Sequence, residues 1–271
     1  MRSTRVLTAG LVLIAAACNG SPTTTTTALD ALVTADVATM TADATTEDVD
    51  VMAAMDGDIG VLVSAPLFEG MFLTPPGGPR MGGCNFAGGQ FTCPPTTRNG
   101  LTINRTVVFK DAAGATQSAY DAALTASIHV TSSVAGDVTH GPWSATVARN
   151  RDFTITGLAG TETTRTVNGT GSETVSRSRV TATNETRTYN LTGSSTVTNV
   201  VVPVRADGVD PWPLSGTINR TYTVTRTSGS NPGQTVTRTV VITFNGTSAP
   251  TATVNGEPFT LDLAHRTATH H

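Results

Sequence analysis

The sequence predicts a mainly β protein: a large antiparallel meander sheet with a short N-terminal helical segment covering one of its faces. Three observations carry this. From Leu101 onward apolar and polar residues alternate with a period of two. Threonine and valine fill these segments, as a pleated, half-buried surface favours. Asn-Gly pairs at 99–100, 168–169, 245–246 and 255–256 supply the turn chemistry of antiparallel hairpins.

The chain begins differently. Arg2 and Arg5 precede an uncharged apolar run, Val6 to Ala17. Twelve residues are too few to span a bilayer as a helix, which needs about 20. A basic start, a short apolar run and small residues describe a secretory signal. Ala15, Ala16 and Ala17 lead directly into Cys18. This arrangement resembles the lipobox of bacterial lipoproteins, whose cysteine takes a diacylglyceryl group and becomes the mature N-terminus. That box usually has leucine three places before the cysteine; here Ala15 stands there, with Ile14 and Leu13 further back. The resemblance implies lipidation at Cys18, export, and attachment to a membrane of the bacterial cell envelope. Acyl chains at about 0.8 kcal/mol per buried methylene make such attachment stable. The alternative is plain secretion with cleavage after an alanine.

The remaining chain divides by composition. After the signal peptide at 1–17, residues 18–27 read as the lipidated cysteine and a flexible tether, because SPTTTTT has nothing to bury. Residues 28–60 read as an acidic helical segment. Leu29, Leu32, Val33, Val37 and Met40 keep a spacing of three to four, and Thr45 or Thr46 is placed to cap a second helix with Val49, Met52 and Met55 as its apolar stripe. From Cys18 to Pro79 there are acids but no lysine or arginine. Residues 61–100 read as a loop region, broken by PPGGPR, MGG, AGG and CPP. It holds Cys84 and Cys93, the only cysteines after Cys18. An even pair in an exported chain points to a disulfide, whereas a metal site needs more ligands and no histidine is close in sequence.

Residues 101–271 form the antiparallel β domain. Candidate strands are 101–110, 124–132, 143–149, 151–158, 161–168, 172–183, 185–200, 215–228, 234–245, 249–255 and 258–264. Alternation separates two faces. One carries Ile218, Arg220, Tyr222, Val224 and Arg226, with Arg238, Val240, Ile242 and Phe244, and similarly Ile103, Arg105, Val107 and Phe109, and Val147, Arg149, Arg151, Phe153 and Ile155. The other is lined by threonine, which suits water. The apolar face needs a cover, and its arginines need acids or the rim. The acidic segment offers both. The polar stretch 161–183 reads as an edge or a bridge. TINRT occurs at 102–106 and 217–221, with TVARN at 146–150 as a looser copy; duplication and chance both remain open.

The search for chemistry excludes more than it finds. No G-x-S-x-G elbow, HExxH, P-loop or dinucleotide fingerprint is present. Asn-x-Ser/Thr triplets such as those at Asn104, Asn168, Asn184, Asn190, Asn219 and Asn245 follow from abundant threonine. His265, His270 and His271 lie near the C-terminus, where a designed metal site is uncommon. Asp207 and Asp210 match only part of a calcium loop. Trp143 and Trp212 suit packing at a core edge or ligand stacking. A net charge of −3 gives no reason to expect nucleic acid. The expectation is a protein without enzymatic activity, cofactor or metal: a membrane-anchored envelope lipoprotein with a structural or surface-contact role. In overall pattern it resembles uncharacterised β-rich envelope lipoproteins, a likeness that implies no activity. The alternative is a carrier or binder of an apolar ligand, a lipid or acyl chain, between helix and sheet. An ice-binding threonine face is a third, weaker reading. The partner is thus left between an envelope protein and an apolar ligand.

Overall fold

The computed structural model of the chain describes residues 23–58, 84–98, 100–140, 143–158, 161–180, 184–204, 212–229 and 232–271. Cys18 and the signal segment lie outside them, as do residues 61–83 and the Asp207–Asp210 stretch. The described residues have the expected fold: one helix, α1 (Thr23–Asp58), and a thirteen-stranded antiparallel sheet. The strands are β1 (Asn85–Ala87), β2 (Gln90–Arg98), β3 (Leu101–Asp111), β4 (Thr116–Gln117), β5 (Thr125–His140), β6 (Trp143–Thr156), β7 (Thr164–Val180), β8 (Thr186–Pro203), β9 (Ser215–Arg226), β10 (Thr235–Thr243), β11 (Thr251–Val254), β12 (Glu257–Asp262) and β13 (Thr267–His270). They pair in chain order, with β4 as a side branch on β3.

Several boundaries differ from the sequence reading, each for a local reason. The helix is single and starts at Thr23, inside the stretch read as tether; extending an established helix costs far less than nucleating one. Thr45 and Thr46 do not cap a second helix. Both are buried in the middle of α1, and the Thr46 hydroxyl lies 2.9 Å from the Ala42 carbonyl and 3.1 Å from the Leu263 carbonyl. The loop region contains a hairpin. Its AGG is the β1–β2 turn, with Ala87 opposite Gln90, and its two prolines sit at a bulge between Cys93 and Thr96, beyond the reach of β1. No partner strand needs their missing N–H groups there. Cys84 and Cys93 form a disulfide across this hairpin.

Asn168-Gly169 makes no hairpin. It lies within β7, beside a bulge against β8, so the two expected strands there are one. Segments 143–149 and 151–158 likewise merge into β6, whose inward and outward residues alternate without a break. Asn245-Gly246 lies in a longer connection between β10 and β11. Asn255-Gly256 is the expected two-residue turn, with φ of 50° and 88°.

The inward residues of β3 to β12 form the core with Val37, Ala38, Val49 and Met52 of α1. The sheet curls around the helix. Asp48 of α1 pairs with Arg151 of β6 and Arg220 of β9, whereas Asp36 pairs with Arg179 at the far end of β7. The helix therefore runs lengthwise along the strands. Glu47 meets Arg149 of β6 and also Arg266 in the β12–β13 turn. On a flat sheet β6 and β12 would be about 29 Å apart, six spacings of about 4.8 Å. One carboxylate reaches both only because the sheet is bent into a trough. Among the described residues no helix is long and apolar enough to cross a membrane.

Glycines thin the trough wall beneath the largest inward side chains. A Cβ at Gly193 would sit 2.6 Å from the Tyr222 ring, and one at Gly171 3.0 Å from Cδ of Arg151. Gly193→Ala is expected to lower stability by about 1–3 kcal/mol through overpacking, read as a fall in the urea midpoint. The neighbouring exposed change Ser194→Ala should stay within about 0.5 kcal/mol. Equal midpoints for the two variants would contradict this packing.

Candidate functional site

Cross-strand register sorts the inner face into rows. One row runs Arg105, Ser132, Arg151, Gly171, Ser195, Arg220 from β3 to β9. The next runs Ile103, Val134, Arg149, Glu173, Gly193, Tyr222. Small residues stand beside several of the long ones: Ser132 and Gly171 flank Arg151, Ser195 is next to Arg220, and Gly193 is next to Tyr222. The two TINRT copies place Arg105 and Arg220 in the same row, on strands that flank the others.

Of the arginines expected to seek acids or the rim, Arg149, Arg151 and Arg220 meet carboxylates. Asp48, 1% exposed, joins Arg151 and Arg220. Glu173 of β7 accepts from Nε of Arg149 at 2.8 Å and from Nη1 of Arg220 at 3.3 Å. Glu47 closes the group on Arg149. Toward the N-terminal end of α1, Asp43 pairs with Arg177 at 2.8 Å, and Asp36 accepts from Arg179 at 3.0 Å and from the Tyr189 hydroxyl at 2.8 Å. The stretch read as an edge or a bridge is central: β7 lies between β6 and β8, supplies Arg177 and Arg179 to the helix contact, and sets Glu173 between Arg149 and Arg220.

Burial alone would raise the Glu173 carboxyl; the surrounding Arg149, Arg220 and Arg151 outweigh it and hold the pKa at about 2. For Arg149 burial works against the charge, and Glu47 and Glu173 more than compensate, raising its pKa. Arg177 is lowered, because burial exceeds the help from Asp43. Its guanidinium also lies 3.8 Å from the ring centroid of Trp143.

Beside this network a cavity of about 780 Å3 separates α1 from β3, β5 and β6, with the β12–β13 turn as its far wall. Leu101, Ile103, Val134, Val138, Ala145 and Val147 line the sheet side, and Met40 and Val51 the helix side. Arg105 and Ser132 mark one end; Trp143 and Val138 lie toward the other. Ser132 is 6% exposed and its hydroxyl has no hydrogen-bond partner. The cavity is where α1, which packs most closely on β10 to β13, leaves the trough wide on its β3–β6 side.

Comparison with family models, curated proteins and solved structures finds no match.

The residues singled out from sequence are only partly brought together. Cys93 is buried, 3.8 Å from Nη2 of Arg105, and so lies near the cavity's polar end. Trp143 is part of the lining, whereas Trp212 packs at the opposite end of the trough. His265 pairs with Asp262 at 2.8 Å, and His270 lies 3.8 Å from Glu257. Among the described residues no group of three or more histidines, cysteines and acids is placed to hold a metal. Val134 and Val138 escaped the sequence reading because β5 was ended at 132. The alternation Val130, Ser132, Val134, Gly136, Val138 carries the signal. Glu173 escaped for a different reason: the stretch 161–183 read as polar on both sides, whereas Glu173, Val175, Arg177 and Arg179 share the inward face of β7.

The network makes stability sensitive to acid with a definite sign. Glu173 has a folded pKa of about 2, below its ordinary 4.5. Its contribution is complete above 4.5 and is lost as pH falls toward 2. A difference of this size corresponds to about 3 kcal/mol. Glu173→Gln should therefore lower stability at pH 7 and flatten the decline between pH 4.5 and 2. Parallel acid-denaturation curves for variant and parent would show that Glu173 is not held by these arginines.

Proposed function

We propose that the chain is a lipid-anchored, non-catalytic protein of a bacterial envelope whose curled sheet holds an apolar molecule of the acyl-chain class beside α1. The observation that carries this reading is the cavity. Its size falls within the range of about 300–1,000 Å3 common to ligand pockets, and most of its wall surface is apolar, although the ion-paired Asp43, Glu47, Arg149, Glu173 and Arg177 line it too. The anchor rests on the Ala15–Ala17 and Cys18 pattern. The non-catalytic character rests on the absence of any nucleophile or phosphate motif in the sequence, and on carboxylates that are engaged with arginines.

A purely structural or surface-contact role is the second reading. Its support is the outer face, where Asn104, Ser133, Asn150, Ser172, Ser194 and Thr221 form a continuous uncharged row.

A fluorescent fatty acid distinguishes the two. It should bind the full chain, and lipid extracted from the purified protein should contain an acyl species in stoichiometric amount. Ala145→Trp fills the cavity from its sheet side. It should weaken binding at least about tenfold, equivalent to 1.4 kcal/mol, without lowering Tm. Absence of binding to the parent, or equal binding by the variant, would favour the structural role. Separately, Cys18→Ser should release the protein from membranes, and an unmodified intact mass for the mature chain would reject the anchor.

A further inference from the structure

The ion pairs give α1 a direction within the trough. Asp48 meets the row of Arg151 and Arg220, Asp43 meets Arg177, and Asp36 meets Arg179, next to the last residue of β7. The N-terminal part of the helix therefore emerges at the end of the trough formed by the start of β6, the end of β7 and the start of β8. Two apolar side chains are exposed at this end, Leu32 of α1 at 41% and Val180 of β7 at 49%. The basic groups beside them are matched: Arg179 by Asp36, and Arg187 by Glu185 at 3.6 Å. Such a surface offers an acidic or basic partner little, and an apolar one more.

We propose that this end of the trough docks on the lipid surface that holds the anchor. The proposal rests on the reading of Cys18 as lipidated. Since α1 starts at Thr23, Cys18 lies five residues ahead of it, at most about 18 Å away along an extended chain. The nine helical residues from Thr23 to Ala31 add about 14 Å even if they stand upright. A modest tilt of the helix brings Leu32 and Val180 to the interface. Trp143 lies on the same side, paired in register with Arg179, and it belongs to the cavity lining. The Trp143 end of the cavity consequently faces the bilayer, and an acyl chain enters it without crossing water.

The test uses the full chain, purified from membranes with any lipid attached and reconstituted into vesicles of phosphatidylethanolamine and phosphatidylglycerol. An environment-sensitive fluorophore is placed at Val180→Cys and, separately, at Leu214→Cys. Leu214 is 45% exposed and lies at the opposite end of the trough, beside Val201 of β8. At position 180 emission should move to the blue, brighten several-fold on reconstitution and be quenched by nitroxide-bearing lipid. At position 214 it should not change. Equal responses at both positions, or none at 180, would overturn the docking. Intact mass of the same sample reports on the anchor independently. An acylated Cys18 without a response at 180 rejects docking and keeps the anchor. An unmodified Cys18 with that response rejects the anchor and keeps the docking surface.

Discussion

Asp48 and Glu173, one on the helix and one on the sheet, lie between three buried arginines, Arg149, Arg151 and Arg220. The rest of the architecture depends on this contact. Arg220 is 1% exposed and has no route to water. A buried arginine without its carboxylate costs about 3–5 kcal/mol. The sheet therefore cannot keep these side chains inward unless α1 is in place, and α1 cannot bury Asp48 without the sheet. Net stabilisation by such pairs is small compared with apolar packing, because desolvation offsets most of the attraction. Their effect is on arrangement. They fix which face of α1 points to β6 and β9, and where along the trough the helix stops.

Much of this was legible in the alternation of the strands. Val147, Arg149, Arg151, Phe153 and Ile155 were readable as one face, and all of them are buried. The acids ahead of Pro79, without any base among them, marked the segment that would cover that face. What was not legible was curvature. Strand alternation specifies which side of a strand faces inward, but not how far neighbouring strands rotate. The contact of Glu47 with both Arg149 and Arg266 joins residues far apart in sequence and has no local signature. Glycine and proline misled for a related reason. Asn168-Gly169 and Cys93-Pro94-Pro95 carry turn chemistry, yet each sits at a bulge, where a strand tolerates the same residues. The cavity was accordingly invisible at the outset: Val134 and Val138 join the lining only because β5 continues to His140.

The functional reading follows from where charge and apolar surface divide. Over β10 to β13 the helix packs closely on the sheet, and its ion pairs reach across to β6, β7 and β9. Toward β3 and β5 the wall is Leu101, Ile103, Val134 and Val138, with no helical side chain packed closely over all of it. The helix thus serves both as the core of the fold and as one wall of the space left over. A ligand there would touch the element nearest to the proposed anchor, which ties cavity and membrane end to the same helix.

The most direct test of the central contact is a double-mutant cycle on Asp48→Asn and Arg220→Met, followed by urea denaturation at pH 7. If the carboxylate is what allows the arginine to be buried, Asp48→Asn alone should be costly. Adding Arg220→Met should then restore part of the loss, giving a coupling in the upper part of the usual range of about 0.5–3 kcal/mol. Additive effects would mean that the two side chains do not depend on each other, and that the sheet curls around α1 for another reason.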